Sequence, residues 1–411
     1  MKHFLLFPLL VVLLGGVSAV SAEDWPQWHG PRRDAKSSET GLLKVWPEEG
    51  PKLLLTINGL GRGFSSPAIV GDRIYATGLI DEEQHIFCFD MEGNKKWEAT
   101  NGPGWVKNFS GTRSTPTVDG DTLYTFSGFG RVAAFDIRSG EELWHVDSVE
   151  QFGGVVPEHH GYTESVVVDG NHVIYMPGGP DACFAALDKK TGETVWTSRG
   201  VSDRASHASA AVFTHDGIRQ VASMTAKSLV AVSVEDGRFL WKYDRPAMQS
   251  DPPQNMMIPI YLDGVVFAAS GNQWGGGAAR LKREGATMTA TQIWETLDMS
   301  NFHGGCLLAD GYIYGNHEYS WNCLDFETGK LMYSEKGIGN GSIMYADGML
   351  YCLGEKGEMA LVETNPKEHR VVSSFLIPDA GPETWAHPAI SSGKLFIRRH
   401  DNLHIYDVRQ N

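Results

Sequence analysis

Residues 185–196 read AALDKKTGETVW, and the phrase returns with changes at 133–144 (AAFDIRSGEELW), 230–241 (VAVSVEDGRFLW) and 322–333 (NCLDFETGKLMY). Each copy runs from small and apolar residues through Asp or Ser to a polar, Gly-containing turn and an aromatic. A second phrase lies upstream of it. There, two apolar runs flank a Gly-centred turn, as in PAIVGDRIYATG (67–78), PTVDGDTLYTFSG (116–128), VVVDGNHVIYMPGG (166–179) and IYLDGVVFAASG (260–271). Counting a degenerate copy at 211–224, the turn glycines are Gly71, Gly120, Gly170, Gly217, Gly264, Gly311, Gly348 and Gly393, at a mean interval of about 46 residues.

An Asp-Gly turn between apolar runs is a hairpin signal. The two phrases together predict four short strands per repeat, joined in sequence into one antiparallel sheet. One such sheet cannot hide both its faces, whereas eight set radially can pack against each other. The expected fold is therefore an all-β, eight-bladed β-propeller of four-stranded antiparallel blades. Trp97, Trp144, Trp196, Trp241, Trp294 and Tyr333 are expected on the outer strands, filling the wedges between blades. Asp136, Asp188 and Asp325 recur with the turns, so they read as turn residues bonding backbone N–H groups. The eighth repeat, about 385–408, lacks a fourth strand, and the apolar run PKLLLTI (51–57) is left over at the other end. The N-terminal strand is expected to complete the last blade.

The phrase at 185–196 fits the A-x-D-x-x-T-G-x-x-x-W docking motif through Ala186, Asp188, Thr191, Gly192 and Trp196. On this motif the chain resembles the PQQ-like (quinoprotein alcohol dehydrogenase-like) propeller repeat family over roughly residues 51–408. The opening DWPQWHGPRRD (24–34) is similar to the start of exported proteins with such repeats, and length and blade count resemble the BamB group. The resemblance implies one of two activities: a binding propeller that needs no cofactor, or a PQQ- and calcium-dependent alcohol or sugar dehydrogenase. The family's dehydrogenases hold PQQ over Ca²⁺ with an Asp base, an Arg and a Trp floor, and many carry a vicinal disulfide. This chain has no Cys-Cys pair and no Cys-x-x-Cys-His haem motif.

A formal charge of −15 repels phosphate backbones, so nucleic acid is not an expected partner. Lys2 followed by FLLFPLLVVLL, with Val20 and Ala22 before the expected cut, reads as a signal peptide over 1–22. The apolar run is short for a membrane span of about 20 residues. The expected organisation is then an N-terminal extension at 23–50 and the propeller at 51–411, periplasmic or extracellular, without a membrane span in the mature chain. The five Cys sit apart in apolar runs and read as buried thiols.

In a propeller the residues leading into the innermost strands converge on one mouth of the channel. Counting six positions back from each turn Gly gives Ser65, Ser114, Glu164, Ala211, Ile258, Gly305, Ser342 and His387. Polar and aromatic neighbours complete a candidate binding set: Arg62, Arg113, His159, His160, Glu164, His207, Asn255, His303, Trp385 and His387. Imidazole, guanidinium and carboxylate groups brought together suit an anion, a small polar ligand or a metal, and the same groups also serve to cap strand ends. The insertion QFGGVVPEHHGYTE (151–164) reads as a lid or partner contact. No residue set marks a hydrolase or lyase, and no catalytic residue is assigned. The reading favoured by the residues is a monomeric binding propeller of the cell envelope, whose partner is an envelope protein or a small polar ligand.

Overall fold

The computed structural model describes residues 23–245, 254–302, 305–378 and 383–410. The expected signal peptide and His303 lie outside the described residues. Eight antiparallel sheets follow one another along the chain, each a meander of sequential hairpins. Blade 3 is representative, with strands Val167–Asp169, His172–Tyr175, Ala185–Asp188 and Thr194–Thr197 from inside to outside. In blade 8 only Ala389–Ser391, Lys394–Arg399 and Asn402–Asp407 come from the C-terminal end. Lys52–Ile57 supplies its outer strand, antiparallel to Asn402–Asp407, with Lys52 opposite Asp407 and Ile57 opposite Leu403. The ring is thus sealed by the N-terminal strand, as the missing fourth strand of the last repeat predicts.

The inner hairpins use two turn chemistries. In blades 4 to 8 both central residues have positive φ, as in Asp216-Gly217 (45° and 76°) and Asp347-Gly348 (49° and 76°). In blades 1 to 3 the glycine comes first and alone is left-handed, with Gly71 at 58° and Gly120 and Gly170 at 59°. Both forms match the right-handed twist of the flanking strands.

The repeated phrase is a docking device between blades. The indole N–H of Trp97, Trp144, Trp196 and Trp294 donates to a carbonyl of the next blade, that of Ile137, Lys189, Val234 and Phe326 respectively, at 2.8–3.1 Å. Each acceptor directly follows the phrase's Asp or Ser. The phrase's glycine lies flat under the same ring. A Cβ on Gly140, Gly192, Gly237 or Gly329 would stand 2.5–2.7 Å from the indole of the preceding blade. The Asp shapes the turn that presents this glycine: Asp188 Oδ1 accepts the Lys190 and Thr191 N–H groups at 2.9 and 3.0 Å. A register shift on the outer strand turns Trp144 inward and leaves Leu143 exposed. Trp241 departs from the pattern and donates to Gln220 of its own blade at 2.5 Å, because blade 5 carries a long hairpin in place of the phrase. Gly192→Ala combines a clash with the Trp144 ring and a strained φ of 74°, so it is expected to lower unfolding free energy by about 2–4 kcal/mol, measured by chemical denaturation.

The five Cys are free and buried. One short helix, Ser148–Phe152, is capped by Asp147. The insertion at 151–164 begins in the last residues of this helix and is pinned by Tyr162 donating to Pro177 O at 2.6 Å. Among the described residues no helix is long and apolar enough to cross a membrane.

Candidate functional site

The N-terminal extension crosses the central channel. Trp25 exchanges two backbone hydrogen bonds with Ile69 of blade 1, both 2.8 Å, and Val118 N of blade 2 donates to Pro26 O at 2.8 Å. Lys36–Ser37 pairs in parallel with the inner strand of blade 7. Buried Glu39 accepts from the Ser392 and Gly393 N–H groups in the turn of blade 8. Between these anchors, His29, Gly30, Arg33 and Ala35 all take positive φ and fold residues 27–35 into a knot. The Arg33 guanidinium is buried and donates to Ser165 O (2.9 Å), Val166 O (3.2 Å) and Ala210 O (3.0 Å), tying the knot to blades 3 and 4. This strap is a floor: Trp28 lines a cavity on one side, while His29 and Arg33 line one on the other.

The cavity on the Trp28 side, about 190 Å³, opens at the mouth where the chain leads into the inner strands. Seven blades contribute to it at one common position, four residues before the first residue of the inner strand. These are Phe64 before Ala68, Arg113 before Thr117, Thr163 before Val167, His207 before Ala211, Met256 before Ile260, Phe302 before Cys306 and Trp385 before Ala389. Ser165, Ser209 and His387 line it from two residues further on, as backbone alternation requires. Phe109, His160 and Trp28 complete the wall.

Aromatic contacts run almost continuously around this wall. Phe64 stacks on Trp385 with centroids 4.7 Å apart, and Phe109 lies 4.9 Å from Trp385 and 5.6 Å from His160. His160 meets His207 edge-on at 5.1 Å. The Arg113 guanidinium lies over the Phe64 ring at 5.0 Å and donates to the carbonyls of Phe109 and Gly111. Burial lowers its pKa only to about 10, so it stays charged at neutral pH. Burial, aided by Arg113, lowers His160 to about 4; burial, then His160 and Arg113, lowers His207 to about 3. Both imidazoles are neutral at pH 7, and the buried Nδ1 of each has no hydrogen-bond partner. The unfolded chain therefore takes up protons at these positions first as pH falls. Stability is untouched by them above about pH 6.5 and is lost progressively down to about pH 3. His207→Phe is expected to flatten this acid limb in denaturation curves collected between pH 7 and pH 4.

Of the residues singled out in the sequence, Arg113, His160, His207, Trp385 and His387 line this cavity together. His387 Nδ1 lies 2.9 Å from His29 Nε2, which joins the wall to the strap. The other four that lie among the described residues are outside its wall. Glu164 points away from the cavity, its Oε2 accepting from Met176 N at 2.9 Å. Asn255 is a buried structural amide, donating to Thr225 O and accepting from Ser270. Arg62 and His159 lie exposed, outside the wall. The sequence reading missed Trp28, Phe64, Phe109, Met256 and Phe302. The signal that finds most of them is the constant offset from the strand start, which the turn glycine marks poorly because the inner strands differ in length.

The fold and its docking repeat define a PQQ-like propeller. Residues 82–332, more than half of the chain, match the family described as outer membrane protein assembly factor BamB, and the chain belongs to that family. It is related both to BamB assembly factors and to quinoprotein alcohol dehydrogenases. BamB of Kangiella koreensis is 27% identical over 151 residues, 36% of this chain and 34% of that protein. Quinoprotein alcohol dehydrogenase PedH of Pseudomonas putida is 28% identical over 173 residues, 39% of this chain and 27% of that protein. The chain spans about a third of the length of these curated relatives. In structure, BamB from Moraxella catarrhalis superposes with a TM-score of 0.63 at 13% identity, covering 87% of this chain and 98% of that one. Quinohemoprotein alcohol dehydrogenase ADHIIG from Pseudomonas putida HK5 gives 0.64 at 11% identity, covering 94% and 80%. At these identities the structural likeness is one of fold.

The dehydrogenase relatives raise the question of PQQ and Ca²⁺. Calcium takes six to eight oxygen ligands, carboxylates prominent among them. Among the described residues the cavity wall has no Asp, Glu, Asn or Gln, and no group of three or more His, Cys, Asp or Glu is placed to hold a metal ion. Among the described residues its one fixed cation, Arg113, shares the wall with aromatic rings and the neutral imidazoles of His160 and His207. These residues do not fit a calcium-bound quinone.

Proposed function

We propose that the chain is an exported propeller of the cell envelope that binds a small polar ligand in this cavity without transforming it. The carrying observation is the convergence of Arg113, His160 and His207 from separate blades against an aromatic wall. Both histidines line the cavity, so a polar ligand there meets two neutral imidazoles beside one guanidinium. Export is supported by the leader-like first 22 residues, and an envelope role by the family's description. The wall's hydroxyls are engaged with backbone groups: Thr163 Oγ1 donates to His207 O, and Ser165 and Ser209 Oγ accept from Thr115 and Ser165 N–H.

The test is equilibrium dialysis of the mature protein against a small-molecule envelope extract, read by mass spectrometry. One compound is expected to be retained by the native protein and released by His207→Phe. Retention of nothing, or equal retention by the variant, overturns the reading. So does alcohol- or sugar-dependent dye reduction with turnover after addition of PQQ and Ca²⁺.

A further inference from the structure

The wall's chemistry narrows the ligand, on the reading just given that this cavity binds one. We infer that the cavity between the strap and the blade mouths is a site for a small aromatic monocarboxylate, its ring packed against the cluster of Phe64, Trp385 and Phe109 and its carboxylate on Arg113 and the two histidines.

Charge gives the first restriction. Among the described residues of the wall, Arg113 alone carries a fixed charge and no carboxylate opposes it. The strap's Arg33 lies behind the floor, its guanidinium engaged by three backbone carbonyls and the Gln27 side chain. A cationic ligand would meet this charge without compensation, and a neutral one would leave it unused. An anion gains a charge-assisted hydrogen bond in a partly water-excluded place.

The donors give the second. His160 and His207, 5.1 Å apart between ring centres, both line the cavity, and each neutral imidazole there offers a ligand one hydrogen bond. With the guanidinium they make three partners, a number suited to the two oxygens of a carboxylate. A phosphate dianion, with three terminal oxygens and twice the charge, would be left short of both donors and charge.

Shape gives the third. About 190 Å³ is below the roughly 300–1,000 Å³ that drug-sized ligands occupy, so one or two fused rings fill it. Phe64 and Trp385 are stacked with an interplanar angle of 29°, and Phe109 is tilted against Trp385 at 51°. A flat ring stacks against such faces, whereas a puckered aliphatic ring of equal size touches them at fewer points.

The experiment is calorimetric titration of the mature native protein at pH 7 with benzoate, 2-naphthoate, benzamide, benzylamine and cyclohexanecarboxylate. Benzoate or 2-naphthoate is expected to bind at least tenfold more tightly than any of the other three. Arg113→Gln is expected to abolish that preference over benzamide, and His207→Phe, checked for an unchanged heat-induced transition, to weaken the aromatic acids by about tenfold. Equal binding of benzamide or benzylamine overturns the anion assignment while leaving the cavity a binding site. Equal binding of cyclohexanecarboxylate overturns the aromatic assignment. If none of the five binds at millimolar concentration the ligand class is wrong, and retention of another compound in the dialysis experiment separates that failure from failure of the binding reading itself.

Discussion

Arg33→Met is expected to lower the unfolding free energy by about 3–5 kcal/mol, although the residue stands outside the propeller's repeats. Its guanidinium holds Ser165 O, Val166 O and Ala210 O, and it also donates to Gln27 Oε1 at 3.1 Å. Methionine fills much of the same volume but satisfies none of these acceptors. Each buried carbonyl left without a partner costs about 1–3 kcal/mol, and water entering from the cavity beneath the strap recovers part of that. Burial pulls the Arg33 pKa down to about 10 and Glu164 opposes this, so the side chain is charged throughout the working range. The charge matters beyond the strap, because Arg33 is the cation that opposes Glu164. Urea denaturation at pH 7 checks the magnitude. A change under 1 kcal/mol would show that the strap lies on the ring without holding it.

The propeller was readable because its signals are local and repeated. Asp-Gly turns fix hairpins, and the Asp–Gly–Trp phrase joins neighbours, with Gly192 under Trp144 and Gly237 under Trp196. Closure was readable from a deficit, a last repeat one strand short and an apolar run, 51–57, without a sheet. The candidate site was readable only in part. Arg113, His160, His207, Trp385 and His387 were found because polar and large aromatic residues near strand starts stand out. Phe64, Phe109 and Phe302 did not, since an apolar residue facing a cavity has the same local pattern as one facing the core. The six-back count also slipped. The inner strand has three residues in blade 3 and five in blade 4, so the count reaches Glu164, before its strand, in the first and Ala211, the strand's first residue, in the second. The strap left the weakest trace. The segment DWPQWHGPRRD is dense in Trp and Arg, but its partners Ile69, Val118, Ser165 and Ala210 are tens to hundreds of residues away, beyond any local pattern.

Glu164 carries the second large effect. It lies between Thr163 and Ser165, which face the cavity, so backbone alternation turns it toward the interior. There Oε2 accepts one N–H, from Met176, and Oε1 has no partner. Burial raises its pKa to about 8, with the Met176 N–H and Arg33 only partly offsetting the rise. The sign follows from proton counting. Between the unfolded value near 4.5 and the folded value near 8, the native state holds a proton that the unfolded chain has released. The group's contribution is fully present below about pH 4.5, declines as pH rises, and levels off above about pH 8. At 1.36 kcal/mol per unit, the decline between pH 5 and pH 8 amounts to about 3 kcal/mol. Glu164→Gln keeps the shape and the acceptor for Met176 N but cannot ionise. It is expected to be more stable than the native chain by about 3 kcal/mol at pH 8 and nearly equal to it at pH 5, measured by paired urea denaturation at the two values. Combining it with Arg33→Met should then cost less at pH 8 than Arg33→Met alone, because no buried carboxylate remains to lose its cation. Equal costs would mean that the strap and the blade 3 carboxyl do not sense each other.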